Sequence, residues 1–248
     1  MSPSIDTHEN RAGAWEIKFL VPPAVAELIR DWARSRLLPD PNAQGAHDDS
    51  YRITSLYFDT DQLDVFHQRA SYGRGKYRIR RYGQSEVAFL ERKLRTRRQL
   101  TKRRSRTEFG DLARLSGTEA KRNWSGYWFH RRLLLRQLSP ICQVSYERTA
   151  RVAMTQYGPI RLTLDEDLRA RTASGIWFSA PGGKSISAGQ VILELKFRCA
   201  MPALFKCLVE EFALHPQPLS KYRLAVIALN LADTALPIPL ETRSYEYA

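Results

Sequence analysis

Cysteine is scarce in this chain: Cys142, Cys199 and Cys207 are the only three in 248 residues, with no Cys-x-x-Cys pair. That excludes a disulfide-stapled scaffold and a thiolate zinc site, and it suits reduced, mostly buried thiols in a reducing compartment. The five histidines, His8, His47, His67, His130 and His215, have no ligand spacing, so surface or capping roles are expected of them. No apolar run approaches the ~18 residues needed to cross a bilayer. The polar stretch from Met1 to Gly13 has no apolar signal core, and no repeat or low-complexity tract occurs. These absences predict a cytoplasmic chain without a membrane span, organised as a disordered leader at 1–13, a single domain at 14–235 and a tail at 236–248.

Negative charge is also short, with 26 acidic against 39 basic residues and a net charge of +13. The deficit is local. Fifteen basic and two acidic residues lie between Arg69 and Arg106, and the remainder of the chain balances at 24 of each. Such a concentration argues for a specific anionic partner over a general coat of solubilising charge. Within it Arg74, Lys76, Arg78 and Arg80 recur at every second position, so they share one face of an extended strand. A row of like charges persists only where that face meets water or a polyanion.

A hydrophobic content of 43% and an aromatic content of 10% describe a folded protein. Strands are expected at 15–20, 51–59, 74–82, 86–95, 101–108, 142–152, 160–167 and 190–198. Helices are expected at 23–38, over 61–71 as a short piece, at 118–137 within a helical pattern over 110–137, and at 202–214 and 220–232. Glutamate and lysine pair at i, i+2 three times, as Glu16/Lys18, Glu91/Lys93 and Glu194/Lys196, each opposite an apolar face. Periodicity alone admits two arrangements: a sheet with its polar face in water, or a barrel lined by charge and covered by helices.

The motifs occur in order: Glu16-x-Lys18, Ser55-Leu-Tyr57-Phe58-Asp59, Lys76-x-Arg78-x-Arg80-x-Tyr82 and Glu91-Arg-Lys93 come first. Ser145-Tyr146-Glu-Arg148-x-Ala150, Arg161-Leu-Thr163-Leu-Asp165, Glu194-Leu-Lys196 and Ser220-Lys221-Tyr222 follow. With these the chain resembles the catalytic domain of vacuolar transporter chaperone (VTC) polyphosphate polymerases, in the triphosphate tunnel metalloenzyme (CYTH-like) superfamily. The resemblance implies an α+β fold: a closed eight-stranded antiparallel β-barrel with helices packed on the outside. It also implies a phosphotransferase that moves the γ-phosphate of ATP to a growing polyphosphate chain. By that resemblance Lys221, Arg78, Arg80, Arg148 and Arg161 are catalytic. Phosphate binding involves the same five with Lys18, Lys76, Lys93, Lys102, Tyr146, Lys196 and Ser220. Glu194 is the main ligand of Mn²⁺ or Mg²⁺, with Glu16 and Glu91 as helpers. Ala14 departs from the pattern, standing where a charged residue often opens the first motif. One of Lys102, Arg103 and Arg104 is expected to enter the tunnel, whereas Arg81, Arg92, Arg95, Arg97 and Arg98 read as surface charge. The partners implied are ATP and inorganic polyphosphate or triphosphate, not nucleic acid, with room for an unidentified membrane or complex partner.

Three other functions stay open on the residues alone. A triphosphatase or an ATP cyclase would use the same tunnel. A non-catalytic polyphosphate-binding homologue would keep its cations. A nucleic-acid module would use the basic run with Tyr72, Tyr77 and Tyr82 interleaved, although the paired glutamates would repel phosphate in the absence of a cation.

Overall fold

The alternating strands assemble into one antiparallel sheet. The computed structural model describes residues 6–10, 14–41, 43, 49–95 and 100–232. In chain order the elements are β1 (Asp6–Asn10), β2 (Ala14–Val21), α1 (Pro23–Arg36), β3 (Leu38–Pro39), β4 (Ser50–Asp59), β5 (Gly75–Tyr82), β6 (Val87–Arg95) and β7 (Leu100–Glu108). Then come α2 (Tyr127–Leu135), β8 (Ser139–Thr155), β9 (Gly158–Thr172), β10 (Lys184–Ser185), β11 (Val191–Arg198), α3 (Ala203–Glu211) and α4 (Lys221–Ala228). The tail at 236–248 lies outside the described residues, as do His47, Arg97, Arg98 and the side chains of Arg74 and Arg95.

Strand neighbours run β1-β7-β6-β5-β4-β8-β9-β11-β2, with β3 on β8 and β10 on β9, eleven strands among the described residues. Sequence-adjacent strands β4, β5, β6 and β7 pair in succession. Gly83, at φ +51°, makes the tight β5–β6 turn that a residue with a Cβ adopts reluctantly. Pro23 opens α1, where its missing N–H costs nothing.

The expected closed eight-stranded barrel is corrected: among the described residues the sheet has more strands, and no ladder joins its edges, β1 and β2. The physical reason lies in β1. It pairs with β7 from Asp6↔Ser105 to Asn10↔Thr101, occupying the backbone groups through which β2 would close the sheet. This strand falls in the span expected to be a disordered leader. Its polar sequence offers no amphipathic signature, because ladder bonds are made by the backbone. The sheet curls all the same. Lys93 on β6 reaches Glu16 on β2 at 3.0 Å, although five strands separate them in the order.

Helices cover the outer, apolar face. Ile29 and Trp32 of α1 and Phe205 and Leu208 of α3 pack with Ile17, Phe19, Leu162, Leu164, Leu193 and Leu195. Phe129 of α2 meets Phe58 and Tyr77. α4 departs from this pattern and packs on the concave face, where Tyr222 stacks on Tyr57 with ring centroids 5.5 Å apart. The helix expected at 61–71 is a set of turns ending in a 3₁₀ turn at Ala70–Arg74. There the Asp59 carboxylate accepts the N–H groups of Thr60, Val65 and Phe66, competing with a helical ladder. The 110–137 stretch divides into a 3₁₀ turn, Gly110–Ser116, and α2. Of the cysteines, Cys142 is buried, whereas Cys199 and Cys207 are exposed, contrary to the burial expected.

Candidate functional site

The curled sheet gathers the predicted charged residues on its concave face, and strand register explains how. Lys76, Lys93 and Lys102 are direct cross-strand partners over β5, β6 and β7, and the next row is Arg78, Glu91 and Arg104. On the opposite wall, Lys18 pairs with Glu194 and Glu194 with Thr163, while Glu16 pairs with Lys196 and Lys196 with Arg161. Three ammonium groups abreast repel one another. A fold keeps such a row where anions come to it.

Part of that demand is met within the chain by four carboxylates. Glu16 lies 3.0 Å from both Lys18 and Lys93 and 3.8 Å from Lys196. Glu194 lies 2.6 Å from Lys196 and 3.9 Å from Lys18. Burial opposes the charge of Glu194, and so does Glu16. Lys196, Lys18 and Arg148 outweigh both and hold it at about 2. Burial likewise works against Glu16, and Lys93, Lys18 and Lys196 carry it well below the usual carboxylate range. Glu91 accepts from Arg78 Nε at 2.7 Å and has Lys102 and Arg104 each at 3.3 Å. Those cations overcome its burial and hold it ionised. Burial pushes Lys102 down to about 8 despite Glu91, with Arg104, Arg78 and Arg80 adding to the fall.

The fourth carboxylate, Asp165, is fully buried and takes Arg148 Nε at 2.6 Å, Arg148 Nη2 at 2.7 Å and Lys221 Nζ at 2.6 Å. Lys221, the first residue of α4, also sits 4.9 Å from the centroid of the Tyr146 ring. Arg80 donates to Ser55 Oγ and to the Tyr146 hydroxyl, both at 3.2 Å. Lys76 donates to Ser220 Oγ at 3.2 Å. Arg161 lies at one margin, 2.7 Å from both the Tyr51 hydroxyl and Asp40.

Two features position α4 so that Ser220 and Lys221 reach these partners. The Tyr222 hydroxyl donates to Asp59 at 2.5 Å, and Lys18 Nζ donates to the Leu219 carbonyl at 3.1 Å. Of 102–104, Lys102 and Arg104 both lie against Glu91, whereas Arg103 stacks on Trp128, 4.4 Å from its centroid. Arg104 was legible through its period with Lys102. Asp40 and Tyr51 carried no local signal, because their contact with Arg161 is made between distant segments. Arg81, read as surface charge, donates to the carbonyls of Gln84 and Ser85 and lies over Phe109. Tyr77 is only 4% exposed and turned to the core, so the three tyrosines of the basic run form no common stacking row.

The metal question turns on the carboxylates. No group of three or more His, Cys, Asp and Glu side chains is placed to hold an ion among the described residues, and Glu91 is thus not gathered with Glu16 and Glu194. Those two form an ionised pair that shares Lys18 and Lys196. Such a pair fits Mg²⁺ or Mn²⁺, which takes one or two protein carboxylates and completes its shell with phosphate oxygens and water. Two surface hollows, one beside Leu28, Trp32 and Phe212 and one beside Trp124 and His130, contain none of the candidate residues. No described helix is long and apolar enough to cross a membrane.

The family model of the VTC domain matches residues 14–230. Comparison with curated proteins returns no significant match. Among solved structures the chain is similar to a candidate adenylate cyclase from Bacillus halodurans, at 16% identity and a TM-score of 0.51, over 84% of this chain and 95% of that one. It is similar also to a candidate adenylyl cyclase from Hippeastrum described as having a dominant triphosphatase activity, at 18% identity and a TM-score of 0.48, over 91% and 98% of the two chains. A Pyrococcus horikoshii protein gives 13% identity and a TM-score of 0.46, over 86% and 98%. At these identities the likeness concerns the fold alone, and the first of the three carries it.

Proposed function

The chain belongs to the VTC domain family, and from that premise we propose that it is a metal-dependent polyphosphate polymerase. ATP and the growing chain bind on the concave face. A terminal phosphate oxygen of the acceptor forms a bond to Pγ, the bond from Pγ to the β–γ bridging oxygen breaks, and ADP departs with that oxygen. Phosphoryl transfer asks little covalent chemistry of a protein, and much positioning and charge stabilisation. The observation that carries the reading is the pair of facing basic walls, Lys76, Arg78, Arg80, Lys93 and Lys102 on one side and Lys18, Arg148, Arg161, Lys196 and Lys221 on the other.

Arginine forks suit phosphate oxygens bidentately and lysines act as point charges. Tyr146 and Ser220 supply neutral hydrogen bonds. Glu194 and Glu16 would hold the divalent ion, which neutralises charge on the phosphates when bound. A lone glutamate pair facing phosphate would be repulsive, so these carboxylates favour a tunnel enzyme over a nucleic-acid module. A triphosphatase or a cyclase on the same fold differs in product. Incubation with ATP and Mn²⁺ followed by gel resolution of the products separates them. Long polyphosphate chains are expected, and orthophosphate alone or cyclic AMP would refute the polymerase assignment.

A further inference from the structure

Asp165 is a fully buried carboxylate of the site, and its two oxygens are both taken by proposed phosphate ligands from different elements, Arg148 of β8 and Lys221 of α4. We propose that Asp165 is a positioning residue for phosphoryl transfer, setting the guanidinium of Arg148 and the ammonium of Lys221 in one fixed geometry. The inference rests on the triphosphate reading above.

Asp165 engages Arg148 through Nε and Nη2. A guanidinium has five N–H donors, so this grip fixes its plane and leaves Nη1 and the second Nη2 hydrogen for another acceptor. The Asp165 Oδ2 atom, already bonded to Arg148 Nη2, also accepts Lys221 at 2.6 Å, which ties the first turn of α4 to β9. Both cations lie against the same aromatic ring, Arg148 at 5.4 Å and Lys221 at 4.9 Å from the centroid of Tyr146. One carboxylate against two cations leaves a net positive charge to offer a phosphate. Stability alone is a weak reason for this arrangement, since apolar side chains of similar volume often serve a core as well as a buried ionic cluster does. Placement is the stronger reason, because a misplacement of ~1 Å at a reacting centre can cost ~100-fold in rate.

The test compares the unaltered chain with Asp165→Asn and Asp165→Glu. Tripolyphosphate binding is followed by calorimetry, ADP release from ATP with Mn²⁺ by steady-state kinetics, and the folded fraction by melting. Asp165→Asn is isosteric and removes a negative charge, so tripolyphosphate should bind as tightly as before or more tightly while kcat falls about 10-fold or more. Asp165→Glu keeps the charge on a longer arm and should leave kcat impaired. Loss of binding and kcat in proportion to the folded fraction, an Asp165→Glu chain that turns over normally, or no change in either variant would each overturn the assignment. If the unaltered chain neither binds tripolyphosphate nor turns over ATP, the functional reading falls and the assignment with it. Binding and turnover by the unaltered chain with unresponsive variants sinks the assignment alone.

Discussion

At the scale of single residues, the concave face is a problem in charge bookkeeping that the chain solves only in part. Glu16, Glu91, Glu194 and Asp165 are each surrounded by more than one cation, and the positive excess is what a triphosphate would neutralise. Lys221 is the sharpest case, being only partly offset by an aspartate that Arg148 already holds. Lys221→Met should lower turnover by about 100-fold, as removal of a single charge-stabilising donor does elsewhere, in a chain that stays folded although it melts lower for the lost tie to Asp165. An unchanged rate would remove Lys221 from the site. Glu194→Gln should raise the Mn²⁺ concentration needed for half-maximal activity; an unaltered metal dependence would remove Glu194 as a ligand. The alternation of Lys76, Arg78 and Arg80 was legible because a strand repeats every two residues. Asp165 was legible only in part: it closes the Arg161-Leu-Thr163-Leu-Asp165 motif and could meet a tunnel lysine, yet Asp165-Glu166-Asp167 reads most simply as a strand end, and the register with Arg148 identifies its second partner.

At the scale of elements, α1 and α4 are seated by buried carboxylates as much as by apolar contact. Asp49 is fully buried and accepts from Arg34 of α1 at 2.9 Å and from Arg151 of β8 at 2.8 Å. Burial opposes its charge, and the bonds from Arg34 and Arg151 carry it below its ordinary value. A carboxylate depressed in the folded state stabilises above its unfolded value, about 3.9, and loses that contribution as pH falls through the folded one. Asp49→Asn should therefore cost about 2 kcal/mol at neutral pH, less than a fully buried pair because Arg34 is partly exposed. In urea unfolding the difference should narrow at pH 3, and an equal difference at both pH values would contradict this account. For α4, Tyr222→Phe removes the donor to Asp59 yet keeps the stacking on Tyr57. It should cost about 1–2 kcal/mol and lower kcat through the displaced Lys221; full activity would show that α4 is seated by packing alone. Periodicity tells which face of a helix is apolar but not which layer of the sheet it joins. That is why α4 reads from sequence as outer cover, like α1 and α3, and is found on the concave side. β1 escapes notice for a related reason, because an edge strand needs backbone donors and acceptors and little else.

At the scale of the whole molecule, the design is a sheet curled until β6 and β2 face each other, bridged by Lys93 and Glu16 at 3.0 Å, with no closing ladder among the described residues. The apolar outer face is closed over by α1, α2 and α3, so the charged face is left for a ligand and for α4. Because Lys93 also lines the basic row, a bound polyanion would draw on the charge that bridges the two walls. Tripolyphosphate should accordingly raise the melting temperature, and 0.5 M salt should weaken the effect by screening on the order of a few ångströms. A shift indifferent to salt would argue against an electrostatic site. The central claim is that this face moves a phosphoryl group onto a phosphate chain. It is met most directly by the ³¹P spectrum of ATP incubated with the chain and Mg²⁺. The account predicts ADP together with a growing signal from internal chain phosphates; ADP accompanied by orthophosphate alone, or ATP left unchanged, would contradict it.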